Sequence, residues 1–228
     1  MKKVIDFLTA LQQNNDKQWF EANRGLYREA ESEFKGFVER LIPAVASFEP
    51  SVSRLSVRDC TYRIYRDTRF SKDKRPYKTY MGAYICPGGK KSGMAGYYFH
   101  VEPPHRKDDS TPEGGYLLSP GLYCPEPKIL RSVREDIFDN GAQFEESIKK
   151  AKGFELNFTN SLKRNPSGFP EGPYDKYIRL KDFYLERSVP EEILLSGELT
   201  EYAADAFRSA REFVAQLNRA VRYAYEEM

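Results

Sequence analysis

The stretch Gly96-Tyr97-Tyr98-Phe99-His100-Val101-Glu102 decides the fold. Tyr97, Phe99 and Val101 alternate with Tyr98, His100 and Glu102, a period of two that sends one set to a buried face of a strand and the other to the opposite face. Working outward, residues 80–86 are partly β-branched or aromatic, Tyr62 and Ile64 alternate with Arg63 and Tyr65, and residues 116–123 read as a further strand. Residues 87–93, with three glycines, form a flexible hairpin loop between two of these strands, and residues 108–115 form a second, polar loop. Consecutive strands with short connections pair antiparallel.

On both sides of this block the period becomes helical. Val4, Phe7, Leu8 and Leu11 mark a helix over residues 3–12, after which Asn14-Asn15-Asp16 breaks the run and caps the next one. From Asp16, Phe20, Tyr27, Phe34 and Leu41 fall seven apart with Ala30 and Val38 between them, predicting one long helix that Pro43 disrupts. Such an aromatic stripe, with Trp19 and Phe20 in its first turn, is the face a helix packs on a sheet rather than a cofactor box. Downstream, helices are expected over residues 127–138 and 142–151, then a strand-like stretch at 178–189. A final helix carries Leu199, Ala203, Phe207, Phe213, Leu217 and Val221 at three-four spacing. No repeat or Gly/Ser/Pro linker divides the chain. The expectation is one α+β domain over residues 1–228, a central, largely antiparallel sheet flanked by N-terminal and C-terminal helices.

Composition removes whole classes. With 228 residues, 40% hydrophobic, 31% charged and 14% aromatic, the chain is neither disordered nor short of core-forming residues. A mean hydropathy of −0.69, with charge interrupting every apolar run, leaves no membrane span. Cys60, Cys86 and Cys124 are odd in number and lack CxxC spacing, so they read as reduced thiols. Asp6 splits the apolar run after Lys2-Lys3 and no small-residue cleavage site follows, so a cytoplasmic location is expected. The net charge of +2 announces no global polyanion partner, and electrostatics must be argued locally.

Locally, residues 58–78, RDCTYRIYRDTRFSKDKRPYK, hold eight basic side chains against three acids, a net +5. Arg forks and Lys ammonium groups supply directed donors for phosphate or carboxylate, and the interleaved Tyr62, Tyr65, Phe70 and Tyr77 supply aromatic faces. A strand running into a loop stiffened by Pro76 would gather these cations around one anion. The ligand-binding candidates are Arg63, Tyr65, Arg66, Asp67, Arg69, Ser71, Lys72, Asp73, Lys74, Tyr77 and Lys78, with Asp67 and Asp73 orienting the guanidinium groups.

The run from Arg63 to Thr79, with Asn14-Asn15, Trp19-Phe20, Gly96-Tyr97-Tyr98, Gly114-Gly115, Leu130-Arg131, Arg134, Leu162-Lys163-Arg164 and Pro166-Ser167-Gly168-Phe169-Pro170, resembles the family known as domain of unknown function 2461. The resemblance spans nearly the whole chain. It implies a single α+β domain and brings no activity, cofactor or catalytic residue.

Function therefore rests on the residues, and three readings stand. The first is a small anionic, phosphate-bearing ligand held at the strand-loop by a binding protein or an enzyme. The second is single-stranded nucleic acid on a basic, aromatic sheet. It is opposed by the short cluster and by residues 186–228, where nine acids face five arginines. The third is a structural or interaction domain whose Arg/Asp cluster is an internal ion network. No metal or nucleotide motif is present: the glycines at 88–93 lack Walker spacing, and His100 and His105 are joined by no further ligand pattern. His100, opposite Phe99, is a lone acid or base candidate beside the sheet. Cofactor, oligomeric state and catalytic residues are open at this point.

Overall fold

The computed structural model describes residues 1–104 and 114–226. His105 and most of the polar loop expected at 108–115 lie outside the described residues. Helix α1 (Lys2–Gln13) buries Val4, Phe7, Leu8 and Leu11, and Asp16 caps α2 (Lys17–Ala22) by accepting the Trp19 backbone N–H at 2.9 Å. The single long helix expected from Asp16 is two: Asn23 leaves helical geometry (φ −110°, ψ 20°), and α3 (Arg24–Ala46) follows. Pro43 does not end α3. It sits on the exposed side of the last turn, while Leu41, Ile42 and Val45 keep that turn anchored in the core. Phe20 and Phe34 are buried and Tyr27 packs against them half-buried, so the stripe faces the core as expected.

A one-turn helix α4 (Val57–Cys60) precedes β1 (Met81–Ile85), β2 (Gly96–Glu102) and β3 (Gly115–Leu122). Then come α5 (Pro127–Lys150), β4 (Glu155–Leu156), α6 (Asp175–Ile178), β5 (Phe183–Ser188), α7 (Glu191–Leu195), α8 (Leu199–Ser209) and α9 (Arg211–Glu226). The sheet has order β1-β2-β3-β5-β4, every neighbour antiparallel. This is the α+β fold with a central antiparallel sheet and helices from both ends of the chain.

Four local expectations are corrected. Tyr62–Tyr65 is no regular strand: Thr61 bridges Ala83 and Tyr65 bridges Tyr77, so the basic segment is a side loop closed on itself. The two helices at 127–151 are one, kinked at Asn140 where the Tyr174 ring packs on Gly141. Residues 178–182 do not extend into strand, because an Asp175–Arg179 ion pair at 3.0 Å, tied to Asn165, holds a helical turn. The final helix breaks at Ala210, since α8 lies against α3 and α9 against α5.

The hairpin loop 87–93 is also tied down. Gly88, Gly89 and Gly93 take positive φ, and the Lys90 N–H donates to the Asp59 carbonyl at 3.0 Å.

The four longer strands, β1, β2, β3 and β5, put one face on the helices. Ala83, Ile85, Tyr97, Phe99, Val101, Leu118, Phe183 and Leu185 are fully buried there. Phe99 meets Phe37 at 4.6 Å and Tyr97 meets Phe207 at 5.4 Å, while Phe144 of α5 reaches Phe183. The other face is only half-buried: Tyr84, Tyr98, His100, Leu117, Ser119, Tyr184 and Glu186 keep partial contact with solvent.

Candidate functional site

The basic segment folds back as a small ladder, the Arg66 N–H donating to the Pro76 carbonyl (2.9 Å) and the Lys78 N–H to the Ile64 carbonyl (2.8 Å). Asn15 pins its base by bonding both the N–H and the carbonyl of Tyr77. Tyr77 is thus buried, stacked on Phe20 at 3.9 Å, with the Tyr65 ring 5.4 Å away. Both serve packing. At the tip, Arg69 forks onto Asp67 at 2.6 and 2.9 Å, which holds the Asp67 carboxyl below the usual range. Phe70 beside them is 95% exposed.

Asp73 is the hub. It takes the Arg75 N–H and guanidinium at 3.0 to 3.1 Å and Arg66 at 2.5 Å, and its carboxyl is held far below the carboxylate range, chiefly by Arg75 and then by Arg66. Lys74 donates to the Thr68 carbonyl, Lys72 is exposed and Ser71 half-buried. The segment does not converge its cations on one point: Arg66, Arg69 and Arg75 are committed to Asp67 and Asp73.

Lys78 differs from the other cations. Half-buried where the loop rejoins the sheet, its ammonium lies 5.4 Å from the Tyr62 ring centre and 5.6 Å from that of Tyr80. Burial, and then the nearby Arg63 charge, lower its pKa. Among the described residues no carboxylate pairs with Lys78 or with Arg63. Burial pushes the Tyr62 phenol up to about 12.

From Tyr80 the site continues onto the half-open sheet face. The Tyr80 ring lies 4.9 Å from His100, and its phenol is raised by burial and by Glu102 while Arg66 pulls it back. Along β2, the Tyr98 hydroxyl is 3.0 Å from His100 Nδ1, His100 Nε2 is 3.3 Å from Glu102 Oε2, and Thr79 donates to Glu102 Oε1 at 2.6 Å. The side chains of His100 and Glu102 keep only 14% and 10% of their surface exposed. Gly82 on β1 makes room: a methyl there would collide with the Tyr98 ring. Tyr98 is strongly raised by burial, with Tyr80, Tyr62 and Glu102 adding to it.

The candidate site is therefore the seam of the basic loop and the sheet. Of the expected residues, Lys78 and Arg63 lie at this seam, with Arg66 at its edge. Tyr80, Tyr98, Glu102 and Thr79, which share it, were not among the candidates, although the alternation of Tyr98, His100 and Glu102 on one strand face was the signal for them. The three cysteines are free, with Cys60 and Cys86 buried. Among the described residues no group of three His, Cys, Asp or Glu side chains could hold a metal ion, and no helix is long and apolar enough to cross a membrane.

Searches of curated proteins and of solved structures return no match. A family model, described as a conserved hypothetical protein (DUF2461), matches residues 3–215, from the first helix into the last and through every residue of the site. The chain belongs to that family.

Proposed function

We propose that the protein binds a small anionic, phosphate-bearing ligand over Lys78, where the basic loop meets the polar face of the sheet. The observation that carries this reading is the state of Lys78: an ammonium drawn out of water between two phenol rings with no carboxylate partner among the described residues. A desolvated cation without a counter-ion costs free energy that an incoming anion offsets. Arg63 adds a second charge, and the faces of Tyr62 and Tyr80 offer stacking surface for a planar group. A long polyanion fits less well, because three loop guanidinium groups are already paired to Asp67 and Asp73, which leaves the trio a net charge of only +1. For those three arginines the pairing favours the other reading, an ion network that shapes the loop.

The test is thermal unfolding of the wild type and Lys78→Met in inorganic phosphate, nucleoside monophosphates and short oligonucleotides, at matched ionic strength. A phosphate-bearing ligand at 100 times its Kd should stabilise the wild type by about 2.7 kcal/mol and leave Lys78→Met unmoved. Removing an unpaired half-buried charge should leave the ligand-free variant at least as stable as the wild type. Equal shifts in both proteins, or none with any small ligand, would overturn the proposal. A shift with oligonucleotides alone would turn it toward nucleic acid.

A further inference from the structure

The hydrogen-bond inventory of β2 fixes more than a packed polar cluster. Glu102, when ionised, only accepts, and Thr79 already donates to one of its oxygens, so a hydrogen bond across the 3.3 Å to the other oxygen requires the proton of His100 to sit on Nε2. In neutral His100, Nδ1 is then an acceptor, and the single proton of the Tyr98 hydroxyl points inward to it. When the imidazole takes a second proton, Nδ1 becomes a donor and the same bond must reverse. The Tyr98 oxygen then accepts, and its own proton has to turn to another acceptor. Carboxylate, imidazole and phenol thus form a chain in which charge at one end sets the donor at the other.

We infer that Tyr98, His100 and Glu102 are a proton relay serving the anion site at Lys78, with Tyr98 as the donor presented to the ligand. This rests on the anion-binding reading for the identity of the acceptor, though not for the relay itself. Three observations place the two together. Tyr62 and Tyr80, the rings that flank Lys78, are also the phenols that act electrostatically on Tyr98. The Tyr80 ring lies tilted beside His100, 4.9 Å between centres. Tyr98 lies on the half-open face of the sheet, over the gap left by Gly82.

Among the described residues, the ionisable groups in contact with His100 are Tyr98 and Glu102 on its own strand and Tyr80 from the segment entering β1, with Lys78 beside Tyr80, Arg66 acting on Tyr80 and Tyr62 acting on Tyr98 from the loop. From β3 the facing residues, Leu117 and Ser119, do not titrate in the working range. Delivery balances as one concerted shift. The Tyr98 hydroxyl proton passes to a ligand oxygen, the Nδ1 proton passes to the Tyr98 oxygen, and a neutral His100 remains bonded through Nε2–H to Glu102. The relay is a general-acid device that also makes a binding site prefer its ligand when His100 is charged.

Sulfate, a dianion throughout the histidine range, is the probe for calorimetric titration of the wild type, Tyr98→Phe, His100→Gln and Lys78→Met. In the wild type, affinity should fall about tenfold as His100 loses its second proton, the equivalent of one charge-assisted hydrogen bond. Tyr98→Phe keeps the imidazole but lacks the donor, so it should bind weakly at every pH with that dependence gone. A pH dependence intact in Tyr98→Phe would overturn the relay, because the charge would be acting through space. A dependence intact in His100→Gln would overturn it as well. Nitrogen NMR of His100 in the ligand-free wild type, assigned with His100→Gln, decides the relay separately. The neutral ring should be the Nε2–H tautomer and should take up a second proton. An Nδ1–H tautomer, or a ring that never charges, overturns the relay even if sulfate binds. Absence of sulfate binding in the wild type alongside the expected NMR result overturns the anion reading and leaves the relay standing.

Discussion

Asp73 shows how one side chain decides what its neighbours can do. Three local acids cannot match eight basic residues, yet Asp73 takes two guanidinium groups and a backbone N–H, so one acid holds a disproportionate share of the loop's donors while balancing a single charge. Its pKa in the folded protein lies below that of the unfolded chain, so its contribution is complete above the ordinary carboxylate range. That contribution is lost as the pH falls through about 4 toward the lower folded value. The stability difference between wild type and Asp73→Asn should therefore be constant above about pH 5 and shrink below about pH 4, as read by urea unfolding at each pH. A difference that stays constant through acid pH would mean that the hub contributes nothing through its charge. Under the proposed reading, the pairing also explains why Lys78 and Arg63, rather than the loop arginines, are left to meet an anion.

At the scale of elements, the sheet is held in place from one side. Helix α9 reaches the residue just before β2 through Asn218, whose side chain accepts the Ala95 N–H at 2.8 Å and donates to the Ala95 carbonyl at 3.0 Å. Both groups are buried, so Asn218→Ala strands a backbone donor and a backbone acceptor together. The expected cost is about 2 to 5 kcal/mol in urea unfolding, with little change in the denaturant slope. A cost below about 0.5 kcal/mol, the range of surface substitutions, would show that water replaces the clamp. Because the helices anchor the apolar face, the opposite face of β2 is left to Tyr98, His100 and Glu102, which are covered in part by the segment that carries Tyr80.

For the whole molecule, one connected core joins residues from α1, α3, the sheet, α5, α8 and α9. Trp19, the only tryptophan, sits at one end of that core, next to Phe7. Its fluorescence and the far-UV circular dichroism should therefore report a single, coincident unfolding transition. Two separated midpoints would show that the terminal helices and the sheet unfold as separate units. The tethers of loop 87–93 to Asp59, Arg58 and Tyr225 extend the same continuity to a segment whose glycines read as a flexible link.

Periodicity alone determined the class of this protein, because a period of two or of 3.6 is imposed by burying one face of an element, and that demand is written in residues such as Phe99, Val101, Phe20 and Phe34. It also marked where the charge is dense. Element ends were not legible at Asn23, Ala210 and Lys181, where a change of packing partner or an ion pair between residues several positions apart breaks a pattern that hydrophobicity continues. The site was half legible: Lys78 and Arg63 belong to the basic run, but which cations stay unpaired depends on where Asp67 and Asp73 reach in space. Joining Lys78 to Tyr80, Tyr98, His100 and Glu102 was decided by tertiary structure alone, since the loop must fold back on itself and β1 must pair with β2 before those side chains share one face.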